Sequence, residues 1–180
     1  ADLYGRRPIY MVSMLFFLVG SLLSGWAQTM PQLIAFRTIQ GIGAGGLMPL
    51  AFTMMGDMFT AAQRAKMQGL FSGVWGVSSV VGPLLGGFLV DQVSWRWIFF
   101  INIPLGILAG VLIWWAWHDE PRPATAARKP IDYAGAALLT AGVVVLLLGL
   151  FEIRNPIGWL LLIASILLLA GLAWVERRAP

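Results

Sequence analysis

The chain contains no cysteine and a single histidine, His118. The first absence removes any disulfide framework or thiolate metal site and leaves the redox compartment unreadable. The second leaves no Ser/His/Asp set, and neither a metal-ligand cluster nor a phosphate-binding loop is visible. The expectation is therefore a protein that is not an enzyme and binds no cofactor or metal. Charge is scarce as well, at 11% of the 180 residues, where a soluble domain carries about 25%. The net charge of +4 does not suggest a nucleic-acid partner, because its placement follows membrane topology. The first residue is not methionine, no signal peptide precedes the first apolar run, and the ends carry Arg6, Arg7, Arg177 and Arg178. An internal fragment of a longer protein is expected.

Apolar length is what the chain does have. Hydrophobic residues make up 59% of it. The charges cut it into six charge-free stretches, 8–36, 38–56, 67–90, 97–117, 133–151 and 155–175, the shortest 19 residues long. A helix crosses the hydrocarbon core with about 20 apolar residues. The fold class expected is all-α integral membrane, with six transmembrane helices near 9–27, 32–57, 66–90, 97–117, 133–151 and 158–175. The runs do not alternate and are too long for barrel strands.

Lysine and arginine orient the spans. One set of loops holds nine of them: Arg6, Arg7, Arg64, Lys66, Arg122, Arg128, Lys129, Arg177 and Arg178. The opposite set holds two, Arg96 and Arg154. The first set is expected to be cytoplasmic. The longest loop, 118–132, is rich in proline and mixed charge and reads as a cytoplasmic linker between a glycine-rich part (1–117) and a Leu/Val/Ala-rich pair of helices (133–180). Trp26, Trp95, Trp97, Trp114, Trp115, Trp117, Trp159 and Trp174 lie near span ends and read as interfacial anchors.

One charge sits well inside a span. Arg37 lies in the stretch Leu33 to Gly46, where a central guanidinium costs roughly 2.5–3.5 kcal/mol on insertion scales. Arg37, Gln40 and Gly41 fall at i, i+3 and i+4 on one helix face, with Gly45 a turn further along. That arrangement suggests a polar group pointing into a packed interior beside a surface flattened for another helix. Entry at Pro31 puts Arg37 roughly 9 Å deep at 1.5 Å per residue, so snorkelling toward the outer surface competes with a working role.

Other residues carry weaker signals. Gly5 permits a tight reversal before Pro8. Asp2, Arg6, Arg7 and Asp57 share one side of the membrane and offer a charged latch between helix ends, against the simpler reading of solvated loop charges. The third span holds Gly69, Gly73, Gly76, Gly82, Pro83, Gly86 and Gly87. Its four-apart glycines make close-packing faces. Pro83 frees the carbonyl of Ser79, which Ser78 and Ser79 can help satisfy, and bends the helix. Asn102 is expected to bond backbone loosened by Pro104, and Gly106 and Gly110 form another small-residue pair.

Together these segments resemble the major facilitator superfamily, and within it the 14-helix drug:proton antiporter branch. Asp2-Leu-Tyr-Gly-Arg-Arg7 resembles the tail of the loop motif between helices 2 and 3. Arg37-Thr-Ile-Gln-Gly41 is similar to the helix-4 motif R-x-x-Q-G, and Gly82-Pro-Leu-Leu-Gly-Gly87 to the helix-5 antiporter motif G-P-x-x-G-G. Trp95 to Gly106 resembles the entry to helix 6, and Asp132-Tyr-Ala-Gly135 the start of the helix pair inserted between the two six-helix halves. Leu3 and Ser78 depart from the pattern, where arginine and glycine are usual.

The resemblance implies that residues 1–117 are helices 3–6 of the N-terminal half and 133–180 the inserted pair, in a multi-pass protein of the bacterial inner membrane. It implies proton-coupled efflux of hydrophobic or cationic drugs by alternating access. Arg37, Gln40 and Gly41 would serve proton coupling. Gly82, Pro83, Gly86 and Gly87 would form the outer bend, and Asp2, Gly5, Arg6, Arg7 and Asp57 the cytoplasmic gate. The partners implied are membrane lipid, a small-molecule substrate, protons and the remaining helices, which would supply any membrane-buried acid. Export of a metabolite or siderophore, and a non-transporting assembly or sensor protein of the same fold, stand as alternatives.

Overall fold

The computed structural model describes residues 5–117 and 132–176. Among them every regular element is a helix: α1 Arg6–Trp26, α2 Met30–Met58, α3 Ala61–Gln92, α4 Trp97–Phe100, α5 Asn102–Ala116, α6 Tyr133–Phe151 and α7 Pro156–Glu176. They fall into two compact units, Ala1–Ala124 and Thr125–Pro180.

Local chemistry sets the helix limits. Asp132 caps α6, its Oδ1 accepting from the Gly135 N–H at 2.7 Å. Thr29 caps α2 by accepting from the Gln32 N–H at 3.4 Å. The Gln63 side chain reaches back to the Thr60 N–H at 3.0 Å and closes the start of α3. The fourth expected helix has a one-residue irregularity near its start, where the backbone keeps helical dihedrals (φ −61°, ψ −25°). Ile101 separates α4 from α5, three residues before Pro104, whose missing N–H leaves the Phe100 carbonyl without its helical partner.

Among the described residues five helical segments are long and apolar enough to cross a membrane: α1, α3, α4 with α5, α6 and α7. The count falls one short of the six expected. Helix α2 has the length, at 29 residues, but Gln40, the threonines and a run of glycines dilute its apolarity.

In the first unit α1 is the central helix, antiparallel to both of its partners. Along α2, Gly20 lies against Gln40, Gly43 against Phe17 and Gly46 against Ser13. Along α4 and α5, Gly25 lies against Phe100, Gly106 against Leu18 and Gly110 against Met11 and Met14. The fully buried side chains of the described residues are Ser21, Ser24 and Ser165, while dozens of large apolar side chains face outward. Lipid is as apolar as leucine, so helices in a membrane associate by close backbone approach at small residues.

Of the glycines expected to pack from their spacing, Gly106 and Gly110 do so against α1, and the others do not. A Cβ at Gly41 or Gly45 meets nothing within 4 Å, and the same holds for Gly69, Gly73, Gly76, Gly82, Gly86 and Gly87. The seam against α1 runs instead through Gln40, Gly43, Leu50 and Met54, all buried. Helix α3 has no buried residue. It continues through Pro83, and the Ser79 hydroxyl donates to the Gly76 carbonyl at 2.8 Å. That hydroxyl is therefore spent one turn back, not on the carbonyl that Pro83 frees.

The second unit is an antiparallel hairpin. Gly142 lies against Leu169 and Gly149 against Leu162. The buried Ser165 hydroxyl donates to the Gly142 carbonyl at 2.9 Å. The turn is closed by the Asn155 N–H on the Glu152 carbonyl at 2.8 Å and the Gly158 N–H on the Asn155 carbonyl at 3.0 Å.

Candidate functional site

Three helices of the first unit meet at a chain of polar side chains. Arg37 Nη1 donates to Gln40 Oε1 at 2.6 Å, across the i, i+3 spacing that puts the two on neighbouring positions of α2. Gln40 is 3% exposed, and its Nε2 donates to Ser21 Oγ of α1 at 3.0 Å. Asn102 of α5 donates from Nδ2 to the same Ser21 Oγ at 3.1 Å and to the Ile98 carbonyl at 3.3 Å. Ser21 in turn donates to the Phe99 carbonyl of α4 at 2.9 Å. The Phe99 ring lies 5.8 Å from the Arg37 guanidinium carbon, within cation–π range.

Arg37 and Gln40 are thus brought together, but of the two only Gln40 enters the packed interior: Arg37 is exposed, and Gly41 faces open space. Asn102 was expected to serve the backbone loosened by Pro104. It serves the Ile98 carbonyl and the Ser21 hydroxyl instead. Ser21, Phe99 and the close approach of Gly20 to Gln40 were not anticipated. The signal was there in the four-apart pairs Gly20/Ser24 and Ser21/Gly25 of α1, a doubled small-residue pattern.

A guanidinium does not release its proton in proteins. Arg37 places its guanidinium beside a buried amide. The described carboxylates in this chain lie at helix ends: Asp57, Asp91 and Glu176 in last turns, Asp132 and Glu152 at caps. Among the described residues no group of His, Cys, Asp and Glu could hold a metal ion.

At the far end of α1 a second cluster forms. Gly5 takes φ 87°, a conformation that favours glycine. Arg6, the next residue and the first of α1, ion-pairs with Asp57 near the end of α2. Arg6 Nη1 also donates to the Thr53 carbonyl at 3.1 Å. Arg7 Nη2 donates to the Trp114 carbonyl at 2.6 Å. Asp2, the other acid expected here, lies outside the described residues. Arg64 donates from Nε to the Phe59 carbonyl at 2.8 Å and from Nη2 to the Gly56 carbonyl. At the opposite end Arg96 donates to the Ala27 carbonyl at 2.9 Å and stacks 4.9 Å from the Trp95 ring centre. Gly82, Pro83, Gly86 and Gly87 lie on α3 and touch neither cluster through a glycine Cβ position.

A family model described as Major Facilitator Superfamily matches residues 1–175. Multidrug resistance protein 3 of Bacillus subtilis is 45% identical over 150 residues, covering 83% of this chain and 29% of the relative. The multidrug transporter protein MdtP of the same organism is 46% identical over 159 residues, covering 88% of this chain and 29% of the relative. An uncharacterized MFS-type transporter of Mycobacterium tuberculosis, Rv1877, is 34% identical over 184 residues, covering 99% of this chain and 26% of the relative. The chain spans less than a third of the length of these curated relatives.

Proposed function

The chain belongs to the major facilitator superfamily, and from that premise we propose that it forms part of an exporter of hydrophobic or cationic drugs, driven by proton exchange through alternating access. The observation that carries the reading is the polar chain Arg37–Gln40–Ser21, an exposed guanidinium on an apolar helix tied to a buried amide and hydroxyl. Such a charge is costly in lipid, and a costly intramembrane charge points to a functional site. The names of the two Bacillus subtilis relatives support drugs as the substrate class.

In this reading residues 1–117 supply helices 3–6 of the first half, 118–132 a cytoplasmic loop, and 133–180 the inserted pair. Helix α2 is the sixth span, supported by its 29 residues and its antiparallel packing on the apolar α1. Arg37, held by Gln40 beside Gly41, biases a carboxylate on a helix outside this chain toward its ionised form. Substrate and proton then compete for that acid. Arg6, Arg7 and Asp57, with Gly5 and Asp2, close the cytoplasmic side. Gly82, Pro83, Gly86 and Gly87 give the outer side a compliant helix. The protein is multi-pass, with lipid around it and the bacterial inner membrane as its site.

The test is Arg37→Ala in the full-length transporter, with surface expression and proton-driven efflux measured together. Hydrogen bonds to charged groups are worth about 1.5–3 kcal/mol, so efflux is expected to fall by roughly tenfold to a hundredfold at normal expression. Undiminished coupled efflux would sink the proposal. Absence of flux in the parent protein would instead favour a non-transporting member of the fold.

A further inference from the structure

We propose that Ser21 is a positioning residue through which helices α4 and α5 set the orientation of Arg37. The inference rests on the reading of Arg37 given above and deepens it. The donors fix the polarity of the whole chain. Arg37 has only donors, so Gln40 must turn its oxygen toward it and its NH₂ toward Ser21. Asn102 faces a carbonyl, that of Ile98, and the Ser21 hydroxyl with the same nitrogen. Ser21 thus receives two amide N–H groups, and its one proton goes to the Phe99 carbonyl. One donated and two accepted bonds exhaust a hydroxyl, and the side chain is 0% exposed.

Two of the three bonds at Ser21 come from α4 and α5, and so does the Phe99 ring beside Arg37. A displacement of those helices against α1 therefore disturbs the hydroxyl and the guanidinium together. Freed of those two bonds, the Ser21 hydroxyl is free to rotate, and the Gln40 amide that donates to it is held less firmly with its oxygen on Arg37. Ser24 supplies a matched control. It is equally buried at 0% exposure, but its hydroxyl donates to the Gly20 carbonyl of its own helix at 2.7 Å.

The experiment uses the full-length transporter in proteoliposomes, with ethidium as probe. Proton-driven export under an imposed pH gradient is compared with downhill equilibration without one, and the pH profile of export is recorded. Ser21→Ala is expected to lower proton-driven export roughly tenfold, since it leaves buried amide donors unpaired. Downhill flux and Ser24→Ala should each stay within about twofold of the parent. In an Arg37→Ala background, adding Ser21→Ala should change export by less than about twofold, because residues acting through one another are not additive. The two single variants should share one altered pH profile. Multiplying losses in the double variant, or equal losses in Ser21→Ala and Ser24→Ala, would overturn the proposal. If Ser21→Ala does not reach the membrane, Ser21→Cys is read by the same comparisons, as it keeps the shape with a weaker donor. Impaired Arg37→Ala with unimpaired Ser21→Ala overturns this inference alone. Unimpaired Arg37→Ala overturns the functional reading as well.

Discussion

Arg7 sits with its guanidinium carbon 3.9 Å from the centre of the Trp114 ring, and the same side chain donates to the Trp114 carbonyl at 2.6 Å. One residue at the start of α1 thus holds both the side chain and the backbone of a residue at the end of α5. A cation over an aromatic face contributes about 0.5–2 kcal/mol. Trp114→Leu removes the ring and keeps the carbonyl, so it should lower stability by about 1 kcal/mol. Arg7→Lys should cost more, since a point charge cannot stack and reach the carbonyl as a planar fork does. Thermal unfolding in detergent, followed by circular dichroism, ranks the two. The reverse order would show that the ring alone holds this end.

The pair between Arg6 and Asp57 is partly open to solvent, with side chains 22% and 45% exposed. Such pairs contribute about 0.2–1 kcal/mol. Asp57→Asn should therefore be mild, and milder than Arg6→Ala, because Arg6 keeps the Thr53 carbonyl. The deficit of Asp57→Asn should shrink as salt rises from 0.1 to about 1 M, where the Debye length falls to about 3 Å. A deficit that is insensitive to salt would point to packing and not to charge.

Gly43 and Gly41 are two residues apart and should respond oppositely. A Cβ at Gly43 runs into the backbone of Ser13 and Phe17. Gly43→Ala should destabilise by about 1–3 kcal/mol, the usual cost of overpacking. Gly41→Ala meets open space and should leave stability unchanged or raise it by up to about 1 kcal/mol through helix propensity. Parallel unfolding curves decide this. Lost efflux in Gly41→Ala with intact stability would mark Gly41 as a working residue rather than a packing one.

The hairpin of α6 and α7 depends on Ser165 for room more than for its bond. Ser165→Ala should cost about 0.6 kcal/mol, the average for a hydrogen bond between membrane helices. Ser165→Leu has to push Gly142 away and should cost several times as much. Similar midpoints for the two variants in thermal unfolding would refute this.

Charge placement made most of the fold legible. Residues 133–151 were delimited by Asp132 and Glu152 alone, and α6 has those same ends because Asp132 caps the helix. The Arg37–Gln40 bond followed from spacing along one helix. Ser21 did not, because spacing says which residues share a face but not which face turns to which neighbour. The same gap explains why Gly41 was read as the packing glycine in place of Gly43. Arg37 reaches sideways to Gln40, so the charged position and the packed stripe are offset by one position around the helix. Asn102 follows the same rule: Pro104 announces a weakened helix, but only the packing of α5 on α1 gives its amide the Ser21 hydroxyl as a partner.

The arginines at the helix ends have a consequence for how this protein is assembled. Arg64 bonds the last carbonyls of α2, Arg96 the carbonyl that follows α1, and Arg7 a final carbonyl of α5. Each places positive charge on the negative pole of a helix macrodipole. Lysine and arginine count alike when loop charge orients a span during insertion, but only arginine fits these carbonyls with a fork of donors. Replacing all three by lysine should therefore leave biogenesis and orientation intact while loosening the finished bundle, so that the two uses of the same charges can be separated.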